Sequence, residues 1–333
     1  MKKSVGIDIG TCNTRIYVKG RGIMLDEPSY VTVDSHSYKV LATGKDAKDL
    51  IGRTPDNKKT FRPLKNGVIA DYDAAVSMLR AFFEKTSIDG CRAVVAVPSG
   101  ISEVERRAVE DAVLEAGASS IAPVDMTLAA AVGAGLPITE ARGSMVIHMG
   151  GGITEAAVVG LGSVLISETL REGGGEIDNA VFSFIKYNLN VLIGERAAEE
   201  MKINGVSVFG KLDRKDADLR GRNLISGLPT VSKISCADLR EAVSEQTSRY
   251  LALARKVLEK TPPEPSGDIF RSGITLTGGG ALLTGFASLL NEQTGVKISV
   301  AGRPSDCVVN GLGELIDNES MLSYRSKARI SFL

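Results

Sequence analysis

The sequence predicts an α/β fold of two lobes with a cleft between them, and three observations predict it. The chain has 333 residues, more than the roughly 250–300 at which a single hydrophobic core stops growing. Apolar strand-like runs alternate with amphipathic helix-like ones, the pattern of parallel or mixed sheets covered by helices. A short internal repeat sets "VGIDIGTCNTRIYVKG" (Val5 to Gly20) above "MVIHMGGGITEAAVVG" (Met145 to Gly160). Each copy reads as apolar strand, glycine turn and second strand, with Asp8 falling on His148 and Gly10 on Gly150. Two similar β-hairpins facing each other imply duplicated α/β lobes.

The elements follow in order. "RAVVAVPSG" is a buried strand ended by Pro98 and Gly100. In "ISEVERRAVEDAVLEAGA", Ser102 and Glu105 form a capping-box pattern and Gly117 suits the helix end. A long amphipathic helix is expected after Ser235, with Leu239, Val243, Tyr250, Val257 and Leu258 on its apolar side. "TPPEPS" at Thr261 to Ser266 stops it, because proline cannot continue a helix. "GITLTGGGALLTGFASLL" gives strand, glycine triplet and helix. "GVSVFGKLDRKDADLRGRNLISGLPTVSKIS" lacks helical period and reads as a small β-rich insertion.

Composition removes several function classes. Forty basic residues balance forty acidic ones, which argues against nucleic acid as a partner. Cys12, Cys91, Cys236 and Cys307 are scattered without paired metal-ligand spacing, as expected of reduced thiols. His36 and His148 are too few for a histidine metal cluster. "MKKSVGIDIGTCNTRIYV" has no apolar signal-peptide region, and no apolar run approaches the ~20 residues of a membrane span. The expected location is cytoplasmic, with any membrane contact peripheral.

Glycine carries the functional signal. Triplets occur at Gly150 to Gly152, Gly173 to Gly175 and Gly278 to Gly280, each after a strand or at a helix start. Backbone N–H groups exposed in such turns form anion-binding concavities, and missing side chains let a phosphate come close. There is no P-loop, dinucleotide fingerprint, zinc motif or serine-nucleophile elbow. A phosphate ligand would therefore bind through glycine turns between two lobes.

The segments "GIDIGTCNTRIYVKGRGIMLDEPSYV", "RPLKNGVIADYD", "VPSGISEVERRAV", "AAAVGAGLP", "LIGERAAEEMKI", "LEKTPPEP" and "LTGGGALLTGF" together resemble, in order, the MreB/Mbl family of bacterial actin homologues. The resemblance runs nearly end to end. It implies an actin-like two-lobed fold of duplicated ribonuclease-H-like domains with an ATP cleft. The implied first lobe is residues 1–32, 62–143 and 304–333, with a small insertion at 33–61. The implied second lobe is 144–180 and 240–303, with its insertion at 181–239.

The resemblance also implies site roles. Asp8, Gly10, Thr11, Cys12, Asn13 and Thr14 would form the first phosphate hairpin, and Gly150, Gly151 and Gly152 the second. Asp8 would order magnesium through water. Gly173, Gly174 and Glu176 would lie near the ribose. Glu199 and Lys202, three residues apart on one helix face, would flank adenine or merely pair with each other. Gly278, Gly279 and Gly280 would close over the nucleoside.

Several positions depart from the family pattern. His148 stands where the family usually has an acidic residue that orders magnesium's water, and Met126 where it has the glutamate that orients the attacking water. Asp125, one position early, points elsewhere and is no substitute. Gly175 replaces a common aspartate. Methionine cannot act as a base, and histidine is a poor partner for a hard cation. The expectation is ATP binding with questionable magnesium dependence and little or no hydrolysis. His148 would either lend positive charge when protonated or simply fill a decayed site.

Three functions follow from the resemblance. One is a cell-shape filament that self-associates at the inner face of the membrane and works with cell-wall elongation proteins. The second is a regulatory paralogue co-assembling with an active MreB. The third is a non-polymerising superfamily ATPase or kinase, which would need the missing carboxylate. For membrane contact, the loop "EKTSIDGCR" offers little beyond Ile88, and the tail "MLSYRSKARISFL" mixes basic and apolar residues.

Overall fold

The computed structural model describes residues 3–318, so the basic and apolar tail lies outside the described residues. At the centre are two five-stranded sheets of the same topology. In the first, Ser4–Ile9, Asn13–Val18 and Gly22–Pro28 form an antiparallel meander, extended in parallel by Arg92–Val97 and Ser120–Asp125. In the second, Ser144–Met149, Thr154–Gly160 and Ser163–Leu170 form the meander, extended in parallel by Ile274–Thr277 and Ile298–Val300. The sequence repeat is thus a repeat of tertiary structure, and its two hairpins hold equivalent places.

The central strands are apolar because both faces are covered. Every residue of Ser144–Met149 and of Thr154–Gly160 is buried. The helices Met126–Gly133 and Cys307–Asp317 join the sheets. They bury side chains together with Val94 and Ala96 of the first sheet and Val146 and Val159 of the second. The two helices touch backbone to backbone at glycine. A methyl group on Gly311 would stand 1.9 Å from the Ala129 carbonyl oxygen, and one on Gly133 1.9 Å from that of Cys307. Overpacking typically costs about 1–3 kcal/mol, while helix propensity returns up to about 1 kcal/mol on Gly→Ala. Gly311→Ala is therefore expected to lower stability by about 2 kcal/mol, read as a lower urea midpoint with an unchanged slope.

Two small sheets flank this centre. Val40–Thr43, Val31–Asp34 and Lys58–Phe61 form one; Val191–Leu192, Ala217–Asn223 and Pro229–Ile234 form the other. The second holds the segment expected to be β-rich, although Gly210–Leu212 is a 3-10 turn. Two expectations need correction and one is met with an addition. The helix after Ser235 is two helices, Cys236–Ala242 and Ser244–Lys260, with a non-helical Val243 between them. The Ser244 hydroxyl donates to the Glu241 carbonyl oxygen at 2.8 Å, a local bond that competes with the helical ladder. The proline segment does stop the helix at Lys260, but Pro263 then starts another, Pro263–Ser272, where a missing N–H is harmless. Ile88 is buried in the first core and offers nothing to a membrane surface.

Polar bridges cross between the two halves. Lys48 pairs with Glu199 at 3.1 Å, and Glu195 takes Arg62 at 3.1 Å and the Tyr30 hydroxyl at 2.6 Å. On another side, Arg171 makes a two-pronged pair with Glu105, the residue that also completes the Ser102 capping box. Exposed pairs contribute about 0–1 kcal/mol each, so these partly exposed contacts tie the halves together only weakly. No helix among the described residues is long and apolar enough to cross a membrane.

Candidate nucleotide cleft

A cavity of about 370 Å³ lies where the two hairpins meet. The turns are built alike: Gly10 N–H donates to Asn13 O at 3.0 Å, and Gly150 N–H to Ile153 O at 2.8 Å. Their tips approach so closely that a methyl on Gly151 would meet the Cys12 side chain and one on Gly152 the Thr11 side chain. Among the described residues, the N–H groups of Thr11, Cys12, Gly151 and Gly152 have no backbone acceptor. They are the donors available to an anion.

The other glycines serve the hairpins in different ways. Gly174 and Gly175, at the start of the helix Gly174–Asn188, donate to Gly150 O and Gly151 O at 2.9 and 2.8 Å. Their N–H groups are already used, so the Gly173 triplet buttresses the second turn and is not itself an anion cradle. Gly173 lies against Gly150 O, behind the wall, and accepts from the buried Tyr250 hydroxyl at 2.9 Å. Gly278 has φ +80, and a methyl there would stand 2.3 Å from Met149 O. Gly278, Gly279 and Gly280 all line the cavity.

Most of the expected residues are brought together. Asp8, Gly10, Thr11, Cys12, Asn13, Gly150, Gly151, Gly152, Gly174, Glu199 and Lys202 line the same space, as do Met126 and His148. Three are not on its wall. The Thr14 hydroxyl is fully buried against the Ser29 hydroxyl at 2.9 Å, because alternation along its strand turns it inward. Gly173 supports from behind, and Glu176 faces a separate surface groove with Asn179. Glu199 and Lys202 are not paired with each other. Glu199 reaches Lys48, and Lys202 binds Asp178 at 2.8 Å and the Gly174 carbonyl oxygen at 3.2 Å. Ile177, Ile203, Leu282 and Leu283 give this end apolar wall suited to a planar ring.

Electrostatics bears on the two readings of His148. Burial, aided by the nearby Arg15 guanidinium, pushes its pKa down to about 4. Its Nδ1 lies 3.2 Å from the Thr277 hydroxyl. A ring so shifted is uncharged at neutral pH, which favours the reading of His148 as a filler. Asp8 moves the other way: burial raises its pKa to about 6, against the pull of Arg15 and with the push of Asp26.

Two polar residues escaped sequence reasoning. Arg15, opposite Asp8 in the first hairpin's ladder, lines the cavity and stands among Asp8, Asp26 and Asp306 at 4.0, 3.2 and 3.7 Å. Glu155, opposite His148 in the second hairpin, is completely buried. It accepts from Ser99 N–H at 2.8 Å and the Thr169 hydroxyl at 2.7 Å. Burial raises its pKa to about 7, those two hydrogen bonds oppose the rise, and Asp125 adds to it. A lone glutamate in the apolar run "TEAAVVG" was the available signal.

The cavity wall at Met126 is apolar. Met126 opens the helix Met126–Gly133 at the cavity wall, 4% exposed, with Ile153 also on that wall. Neither can hold a water for attack on a phosphate. The donors also fit a hydrated magnesium ion poorly. Among the described residues that line the cavity, Asp8 is the one hairpin carboxylate, it faces a guanidinium, and its counterpart is a histidine. Among the described residues, no cluster of three or more histidine, cysteine, aspartate or glutamate side chains could hold a metal.

Comparison with known proteins agrees with this geometry. The family model described as MreB/Mbl protein matches residues 2–324. Cell shape-determining protein Mbl of Bacillus subtilis (strain 168) is 40% identical over 327 residues, covering 97% of this chain and 98% of that protein. Cell shape-determining protein MreB of Escherichia coli (strain K12) is 40% identical over 322 residues, covering 94% and 93%. The structure of MreB5 of Spiroplasma citri bound to AMPPNP superposes with a TM-score of 0.92 at 30% identity, covering 98% of this chain and 99% of that one. Its ADP-bound structure gives 0.91 at 31% identity, covering 96% and 97%. The chain, with its two like sheets and glycine-turn cleft, has an actin-like fold and belongs to the MreB/Mbl family.

Proposed function

We propose that this chain is a cell-shape protein that assembles into filaments at the inner face of the membrane. In this reading it binds ATP in the cleft and hydrolyses it poorly or not at all. One observation supports the last point: Met126 and His148 both line the cleft, at the positions where the family resemblance puts the carboxylates that orient the attacking water and order the metal. Asp8, the two hairpin turns, the Gly278 triplet and the Glu199–Lys202 end are kept, which supports binding. The AMPPNP- and ADP-bound forms of Spiroplasma citri MreB5 support a nucleotide in the equivalent cleft. ATP then acts as a ligand that favours closure of the bridged halves, without a timer for disassembly.

The same losses favour a second reading, a regulatory subunit that co-assembles with a hydrolysing MreB and slows its turnover. Sedimentation and negative-stain microscopy of the full chain test both. Filaments formed with ATP are expected to last as long as those formed with AMPPNP. Assembly only in mixture with a second MreB selects the regulatory form. Absence of polymer in every condition would overturn both readings.

A further inference from the structure

We propose that Arg15 supplies, from the protein itself, the positive charge that a divalent cation would bring, so that the cleft takes a nucleoside triphosphate without metal. This rests on the nucleotide reading above and extends it to the ionic form of the ligand.

The argument begins with the ladder. Asp8 and Arg15 face each other across the first hairpin, just as His148 and Glu155 face each other across the second. The first pair therefore puts a guanidinium beside the one carboxylate that remains at the phosphate turns. Its anchors come from three separate segments. Nε lies 3.2 Å from Asp26 on the neighbouring strand and 3.7 Å from Asp306 before the last helix. The terminal nitrogen Nη1 is 4.0 Å from Asp8, beyond hydrogen-bonding distance. Nε is buried without a hydrogen-bond partner, so the side chain is placed by charge, and Nη1 retains donors for another acceptor.

The Arg15 side chain stands at the cleft. Arg15 is a cavity-wall residue, as are Asp8, Gly10 and Gly150, and its side chain is 14% exposed. A planar guanidinium can offer an edge to phosphate oxygens in paired, charge-assisted hydrogen bonds. It is always protonated, whereas neutral His148 contributes no charge. The three carboxylates hold the side chain in place but also lower the local potential. The arrangement therefore works only if an arriving phosphate replaces Asp8 as the partner of Nη1, which the long contact allows. A hydrated magnesium ion would instead have to share Asp8 with a fixed positive charge.

The test is calorimetric titration of ATP into the full chain, in EDTA and in excess magnesium. Native protein, Arg15→Leu and Arg15→Lys are compared after each is shown to unfold cooperatively at a similar temperature. Native affinity is expected to differ less than about threefold between the two buffers. Arg15→Leu should lose tenfold or more in EDTA and recover part of it with magnesium, while Arg15→Lys keeps most of the EDTA affinity. Native binding at least tenfold weaker in EDTA, or EDTA affinity unchanged in Arg15→Leu, would overturn the proposal while leaving the nucleotide reading intact. No ATP binding by native protein in either buffer would overturn that reading and this one with it.

Discussion

Replacing Met126 with glutamate is expected to raise the single-turnover rate of ATP hydrolysis by tenfold or more. A positioned general base is worth about 10²–10⁴ in rate, and Met126 stands where one is missing, at the cleft wall and the first turn of a helix. A carboxylate is tolerated there better than at most buried sites. The helix N-terminus favours negative charge by about 0.3–1 kcal/mol, and the Ser99 and Thr127 hydroxyls form a polar patch nearby. The full 10⁴ is not expected, because His148 still leaves magnesium poorly organised. Met126→Gln separates the causes, since it adds polarity and similar volume but no base. A gain in the glutamine variant equal to that in the glutamate variant would show that base catalysis is not what the native chain lacks.

Glu155→Gln is expected to stabilise the chain at pH 8 and to change little at pH 4.5. In the folded chain this carboxyl has its pKa raised from 4.5 to about 7. Between those values the folded state holds a proton that the unfolded state has released, so stability falls as pH rises through that window. The loss is complete above pH 7, where the chain buries a charge. A shift of this size corresponds to at most about 3 kcal/mol. Glutamine keeps an oxygen for the Ser99 N–H and the Thr169 hydroxyl, and its amide replaces an oxygen that has no hydrogen-bond partner. Urea midpoints of the native and variant chains at pH 4.5 and pH 8 check this. Equal differences at both values would mean that Glu155 is not the titrating group. Because Glu155 belongs to the second sheet and Ser99 follows a strand of the first, the carboxyl also couples the two halves.

How much of this was legible in sequence depends on how far apart the partners are. Both hairpins could be read because each is local: apolar strand, glycine turn and strand lie within sixteen residues of one another. The Ser102–Glu105 cap was visible for the same reason and is formed as expected. Arg15 was not visible, because its meaning depends on Asp306, almost the full chain away. Glu155 needed Ser99 and Thr169 from two other segments. The Gly173 triplet looked like a phosphate loop, since sequence cannot show that the N–H groups of Gly174 and Gly175 are already spent on Gly150 and Gly151. His148 could be placed but not given a charge, which depends on burial and on Arg15.

The most direct test of the central claim is the chemical state of the bound nucleotide. The full chain would be incubated with γ-labelled ATP under assembly conditions, and the protein-bound nucleotide then separated and identified over time. Intact ATP still bound after the Met126→Glu variant has turned its own to ADP is the expected result. Conversion to ADP with released phosphate in the native chain, at the rate of that variant, would contradict the account.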